Sequence, residues 1–174
     1  MDLFETIKLR QSVRAYQAQE IDPDKLQAIL EAANQAPSAG DLQAYEIHLV
    51  RDAKTKVALA KAALGQDFIA QAPVALVFAA NLARATTRYG ERGERLYCVQ
   101  DATVAVAYAQ LAATALGLAT CWVGAFEEDA VARIMNLPPH QRPVAILPVG
   151  YAAETPRRTP RRPLADIVHE HPCG

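Results

Sequence analysis

An α+β sandwich is the fold class that the sequence predicts, and three observations carry it. Residues 95–116 have helical spacing and are apolar nearly all the way round, as suits a helix buried inside a layered domain. Pro73 to Ala80 is a continuous apolar run of strand length, which reads as a central strand covered on both faces. Tyr45-Glu46-Ile47-His48-Leu49-Val50 alternates like a half-buried strand. No linker or internal repeat divides the 174 residues, so a single domain over 1–174 is expected.

The elements follow in order. Asp2 followed by Glu5 has capping-box spacing and opens a short helix over 3–9. Asp22-Pro23 gives an N-cap and a proline at the first helical position. Leu26, Ile29, Leu30 and Ala33 continue that helix until Pro37 stops it. Residues 53–64 form an amphipathic helix ending at Gly65. The segment Asn81 to Glu94 is polar, Arg-rich and interrupted by Gly90 and Gly93, which predicts a mobile loop. The long helix closes at Gly117. A short strand over Ala119–Val123, a helix over 127–136 and a strand over Val144–Val149 ending at Gly150 follow. The remainder, about 151–174, carries four prolines from Pro156 to Pro172 and is expected to wrap over the surface without regular structure.

Composition narrows the function classes. The formal net charge of -1 points neither to nucleic acid nor to an anionic membrane surface. Asp2 and Glu5 interrupt the start where a secretory signal would need basic and apolar residues. Asp101, Gln100 and Gln110 inside the long apolar stretch argue for a buried helix rather than a membrane span. Cys98, Cys121 and Cys173 are odd in number and show no CxxC spacing, so a reducing, cytoplasmic setting is expected.

Chemistry concentrates in four pieces. Arg10, Ser12 and Arg14 lie near the start, and Arg157, Arg158, Arg161 and Arg162 lie near the end. Guanidinium groups with a hydroxyl suit a phosphate, because Arg binds its oxygens bidentately and keeps its charge. Each cluster taken singly is also compatible with solvated surface. Between them are a small-residue loop, Ala36-Pro37-Ser38-Ala39-Gly40, which alone reads as a helix-stopping turn, and the stretch Thr120-Cys121-Trp122-Val123-Gly124-Ala125. No GxGxxG, GxxxxGK[ST], GxSxG or HExxH occurs, which removes the familiar dinucleotide, P-loop, serine hydrolase and zincin signatures. His169-Glu170-His171 reads as tail residues rather than a metal site.

Together these pieces resemble the FMN-dependent nitroreductase family, specifically its short members. The resemblance runs through Arg10-Gln11-Ser12-Val13-Arg14-Ala15-Tyr16, Ala36-Pro37-Ser38-Ala39-Gly40-Asp41-Leu42-Gln43, Gly117 to Phe126, Pro148-Val149-Gly150-Tyr151 and Arg161-Arg162-Pro163-Leu164, in the family's order and spacing. It implies an α+β nitroreductase-like sandwich, with a central mixed or antiparallel sheet flanked by helices, one long buried helix and a dimeric assembly.

The resemblance also implies bound FMN, transient NADH or NADPH, and a flat acceptor such as a nitroaromatic or quinone, reduced in a ping-pong scheme without an obligatory acid–base side chain. Arg10, Gln11 and Ser12 would hold the flavin phosphate and ribityl chain. Arg14 would lie near the N1–O2 edge, where a fixed cation favours the reduced anion. Arg161 would reach the phosphate, with Arg162 as the alternative. Pro37, Ser38 and Ala39 would reach FMN across the subunit boundary, and Gln43 and Gln66 would meet flavin polar edges. The main chain of Gly124 and Ala125 would face N5.

Asp41 departs from the Asn of many relatives, and its charge would lower the flavin potential if ionised and close. The extra helical excursion of larger relatives has no room here. The pocket is therefore expected to be open, with Arg84–Arg95 as its lid. Arg84, Arg88, Arg92 and Arg95 either meet NAD(P)H phosphates or form a solvated face. The apolar circumference of the long helix around Val104, Val106, Leu111 and Leu116 supports a homodimer. Alternatives are a dimer that sequesters flavin without significant turnover, or a specialised flavin enzyme of dehalogenase or flavin-fragmenting type.

Overall fold

Four strands, β1 (Tyr45–Val50), β2 (Val74–Asn81), β3 (Ala119–Thr120) and β4 (Gln141–Gly150), form one sheet in the computed structural model, which describes residues 1–171. Cys173 and Pro172 lie outside the described residues. The order is β1-β2-β4-β3 and every pairing is antiparallel. Ser12 adds an isolated parallel bridge to Thr120 at the β3 edge.

The period-2 alternation of strand side chains divides the core in two. Val74, Leu76 and Phe78 of β2, with Ala145, Leu147 and Val149 of β4, face helices α2 (Pro23–Asn34) and α6 (Cys98–Ala115). Ala75, Val77 and Ile146 face the opposite layer, made of α3 (Ala53–Ala62), α4 (Phe68–Gln71) and α7 (Glu128–Ile134). Helix α1 (Leu3–Leu9) packs against α6 with Thr6 buried, while Leu3, Phe4 and Ile7 remain exposed.

Local signals explain where helices start and stop. The carboxylate of Asp2 accepts from the N–H of Glu5, that of Asp22 from Asp24 and that of Asp52 from Thr55, so three aspartates satisfy helix-start amides. Gly117 ends α6 at φ +75°, and the N–H of Leu118 reaches back to the carbonyl of Ala113.

The expected mobile loop over Asn81–Glu94 is instead helix α5 (Leu82–Arg92), capped by the Asn81 side chain and kinked at Gly90. Gly93 does not break the structure. An added Cβ there would meet the carbonyl oxygen of Ala85 at 2.5 Å, so glycine lets α5 and the following turn approach closely. That turn, Gly93–Tyr97, is π-helical, so the long helix proper starts at Cys98 rather than residue 95. Helix α4 had no counterpart in the sequence reading.

The tail begins in register. The N–H of Gln17 donates to Tyr151 O, and that of Ala153 donates to Ala15 O. Beyond Ala153 the side chains are exposed almost throughout, including Leu164, Ile167 and Val168. Among the described residues, no helix is long and apolar enough to cross a membrane.

Candidate active site

Short main-chain pairings bring the two arginine clusters together. The N–H of Val13 donates to Thr120 O at 3.0 Å, which fastens residues 12–13 along β3. The N–H of Arg14 donates to a carboxylate oxygen of Glu154, and the side-chain amide of Gln17 donates to Ala152 O at 2.7 Å. A cleft of about 660 Å³ results, within the range of small-ligand sites. Arg10, Gln11, Ser12 and Arg14 line one wall; Arg157, Arg158 and Arg161 line the other.

Charge is unbalanced in this cleft. Its lining holds six cations, counting Lys8 with the five arginines, against the single carboxylate of Glu154. The side-chain ion pairs among the described residues are Arg95–Glu91 and Arg142–Glu128, both elsewhere. Such a cleft selects an anion, and the Ser12 hydroxyl adds a neutral donor. Arg161 lines the cleft, whereas Arg162 does not and donates to Asp166 O at 2.8 Å. Gln11 Oε1 is buried with no donor among the protein atoms, which suits a ligand hydroxyl.

Beneath this wall the floor is neutral. Burial pushes the Cys121 thiol above its ordinary value, against the opposing pull of Arg14, a hydrogen bond with Ser12 and Arg10. Burial likewise raises Tyr16, whose hydroxyl donates to Val13 O at 2.9 Å.

Gly124 and Ala125 form an exposed arch between two anchors. Val123 and Ile146 exchange both main-chain hydrogen bonds, and the N–H of Glu127 donates to Ala62 O. The amides of Gly124 and Ala125 have no partner among the described residues, so both are available to a ligand. Gln66 stabilises the arch through its side-chain amide, which donates to Ala125 O at 3.0 Å and Ala63 O at 2.9 Å. Its nitrogen is thereby committed to the protein, leaving the side-chain oxygen.

The loop containing Pro37, Ser38, Ala39, Asp41 and Gln43 is set apart from this cleft. It is anchored to Asp101 on α6, while β3 beside Ser12 touches Gln110, nine residues further along the same helix. At 1.5 Å per residue the two anchor points are about 14 Å apart. Gln43 spends its side-chain amide on Asn34, at 3.0 Å to the main-chain oxygen and 2.9 Å to the side-chain oxygen. Arg84 donates to Leu42 O and Arg88 to Gly40 O, so these two α5 guanidinium groups already grip the loop.

From the sequence, Thr120 reads only as the start of the stretch leading to Ala125 and Glu154 is given no role, although both align the arginine motif. Asp101 and Gln110 read as polar interruptions of an apolar helix. Both are buried, and two buried polar residues in such a helix were the available signal.

Known proteins resemble this chain in sequence and fold. The nitroreductase family model matches residues 7–66 and 62–151. A Thermus thermophilus protein named NADH dehydrogenase is 31% identical over 91% of this chain and 91% of its own length. An FMN reductase (NADPH) of Bacillus subtilis is 28% identical over 96% of this chain and 72% of its own. The NADPH:FMN oxidoreductase from Vibrio harveyi, solved in complex with NAD+, superposes with a TM-score of 0.89 at 26% identity, covering 97% of this chain and 76% of that one. The family match spans the arginine motif, the small-residue loop, the long helix and the Gly124 arch, and the chain belongs to the nitroreductase family.

Proposed function

We propose that this protein is an FMN-dependent NAD(P)H oxidoreductase that reduces a flat acceptor such as a nitroaromatic or quinone. The observation that carries the reading is the unpaired cationic cleft, with Ser12 and the orphaned oxygen of Gln11 in its wall. FMN supplies the redox chemistry when bound, accepting a hydride from NAD(P)H and passing reducing equivalents to the acceptor. Arg10, Ser12 and Arg161 hold its phosphate, and Gln11 accepts from a ribityl hydroxyl. Arg14 presents a fixed positive charge to the ring, and the unspent amides of Gly124 and Ala125 offer main-chain hydrogen bonds. The chain contributes position and electrostatics; no general acid or base is required.

The working unit of this proposal is a cytoplasmic homodimer. Exposed Leu3, Phe4 and Ile7 on α1 and the open stripe of α6 at Tyr108 support burial against a second copy. Separation of the Pro37–Gln43 loop from its own chain's cleft supports its service to the partner's FMN. Buried free Cys98 and Cys121 suit a reducing compartment.

Steady-state consumption of NADH or NADPH by FMN-loaded protein, with a quinone as acceptor, tests the activity. Turnover proportional to enzyme is expected. Tight FMN binding without turnover would instead identify a flavin-sequestering protein.

A further inference from the structure

We propose that Asp101 is a positioning residue for the flavin ring, acting through the loop Ala39–Ala44. The inference rests on the FMN-binding reading above and adds a residue that touches no ligand itself.

Asp101 is only 4% exposed and sits in the first turn of α6, whose other buried residues are Ala and Val apart from Cys98 and Gln110. Among the described residues no cation pairs with it. Its two oxygens accept from main-chain amides of one loop, Ala39 at 2.9 Å and Ala44 at 3.3 Å. A buried carboxylate is costly, and an apolar side chain would pack α6 at lower cost. What the carboxylate provides is a fixed separation between the two ends of the loop.

That loop needs an external hold. Gly40, Asp41 and Gln43 have φ values of +57°, +57° and +48°, and two of the three are not glycine. Left-handed backbone is unfavourable for an L-residue, because Cβ crowds the following carbonyl oxygen. Internal bonds satisfy the amides of Asp41, Leu42 and Gln43, the last by donating to Ser38 Oγ. Asp101 takes those of Ala39 and Ala44. On the carbonyl side, Arg84 and Arg88 reach Leu42 and Gly40 from α5. The loop is thus gripped by an anion at its N–H groups and by cations at its C=O groups. The amides of Ser38 and Gly40 remain without a partner among the described residues, so the same clamp leaves two donors for a ligand.

Loop and phosphate cleft are held by different residues, which makes their contributions separable with two probes. FMN and riboflavin share the ring, and only FMN carries the phosphate. Their dissociation constants are read from flavin fluorescence quenching in wild type, Asp101→Asn, Arg84→Ala/Arg88→Ala and Arg10→Ala proteins, with apoprotein melting temperatures alongside. Asp101→Asn places an amide donor against a main-chain N–H and is expected to weaken both flavins by the same factor, about tenfold. The double arginine variant, which leaves the core untouched, is expected to weaken both by about threefold. Arg10→Ala is expected to weaken FMN alone.

A lowered melting temperature with unchanged affinity for both flavins would make Asp101 merely structural and overturn the proposal, while the Arg10→Ala result leaves the FMN reading standing. Should Asp101→Asn fail to fold, unchanged affinity in the double arginine variant overturns it equally. Wild-type protein that binds neither flavin removes the reading and the proposal together.

Discussion

Arg10 and Arg14 lie four residues apart and face the same cleft, yet their neighbours predict separable roles. Arg10 stands at the end of α1, and among the described residues no carboxylate pairs with its guanidinium. Arg10→Ala is expected to weaken FMN by about 1.5–3 kcal/mol, the scale of a hydrogen bond to a charged group, in both redox states. Equilibrium dialysis with oxidised and reduced FMN checks this. Arg14 has its main chain tied to Glu154 and its charge close to the Cys121 floor. Arg14→Ala is expected to lower the two-electron midpoint potential while oxidised FMN stays bound. About 30 mV corresponds to 1.4 kcal/mol for such a couple, so potentiometric titration resolves even a partly screened charge. An unchanged midpoint would remove Arg14 from the ring.

At the scale of elements, legibility followed from apolar content more than from periodicity. Strand β1 has the bounds its hexapeptide predicts, but its burial does not alternate: Tyr45 and Val50 are buried at its ends and Leu49 is exposed. Strand β2 shifted by one residue, with its seven first positions buried as a continuous apolar run requires. Helix α5 was illegible because it is polar on average, buries only Ala85 of its eleven residues and contains Gly90, although its polar and apolar residues do segregate at helical spacing. What makes it helical is the Asn81 cap and the fit of Gly93 against Ala85, neither of which is a pattern in sequence. The site divides the same way. Arg10, Arg14 and Arg161, which line the cleft and to which the proposal gives its chemistry, stand out by residue type. Residues that hold the surrounding main chain, Thr120 and Glu154 at the arginine motif and Asp101 at the Ala39–Ala44 loop, do not, since their role depends on contacts across 57 to 140 positions of sequence. Removing the α5 cap by Asn81→Ala is expected to cost about 1 kcal/mol of stability, measured by denaturant unfolding.

For the whole molecule, burial of ionisable groups sets the alkaline limit. Tyr16, Cys98 and Cys121 all have their ionisation raised by burial, from ordinary values of 10.0 for the phenol and 9.0 for the thiols. The native state holds these protons longer than the unfolded chain does. Their contribution is fully present below pH 9 and declines as pH rises above it. Burial raises Tyr45 as well and lowers Lys56, which works in the opposite direction, so four groups oppose one. Melting temperature is therefore expected to fall between pH 9 and 11, by calorimetry at constant ionic strength.

Assembly belongs to this scale as well. Light scattering at micromolar concentration is expected to give the mass of a dimer, and a stable flavin-loaded monomer would contradict the proposed interface. The central claim is that the arginine cleft holds FMN for reduction by a nicotinamide. Its most direct test is the visible spectrum of FMN-reconstituted protein titrated anaerobically with NADH and, separately, NADPH. Loss of the oxidised flavin band with one equivalent of at least one nicotinamide is the expected result. A spectrum of free, unbound FMN, or a bound flavin band that neither nicotinamide bleaches, would contradict the account.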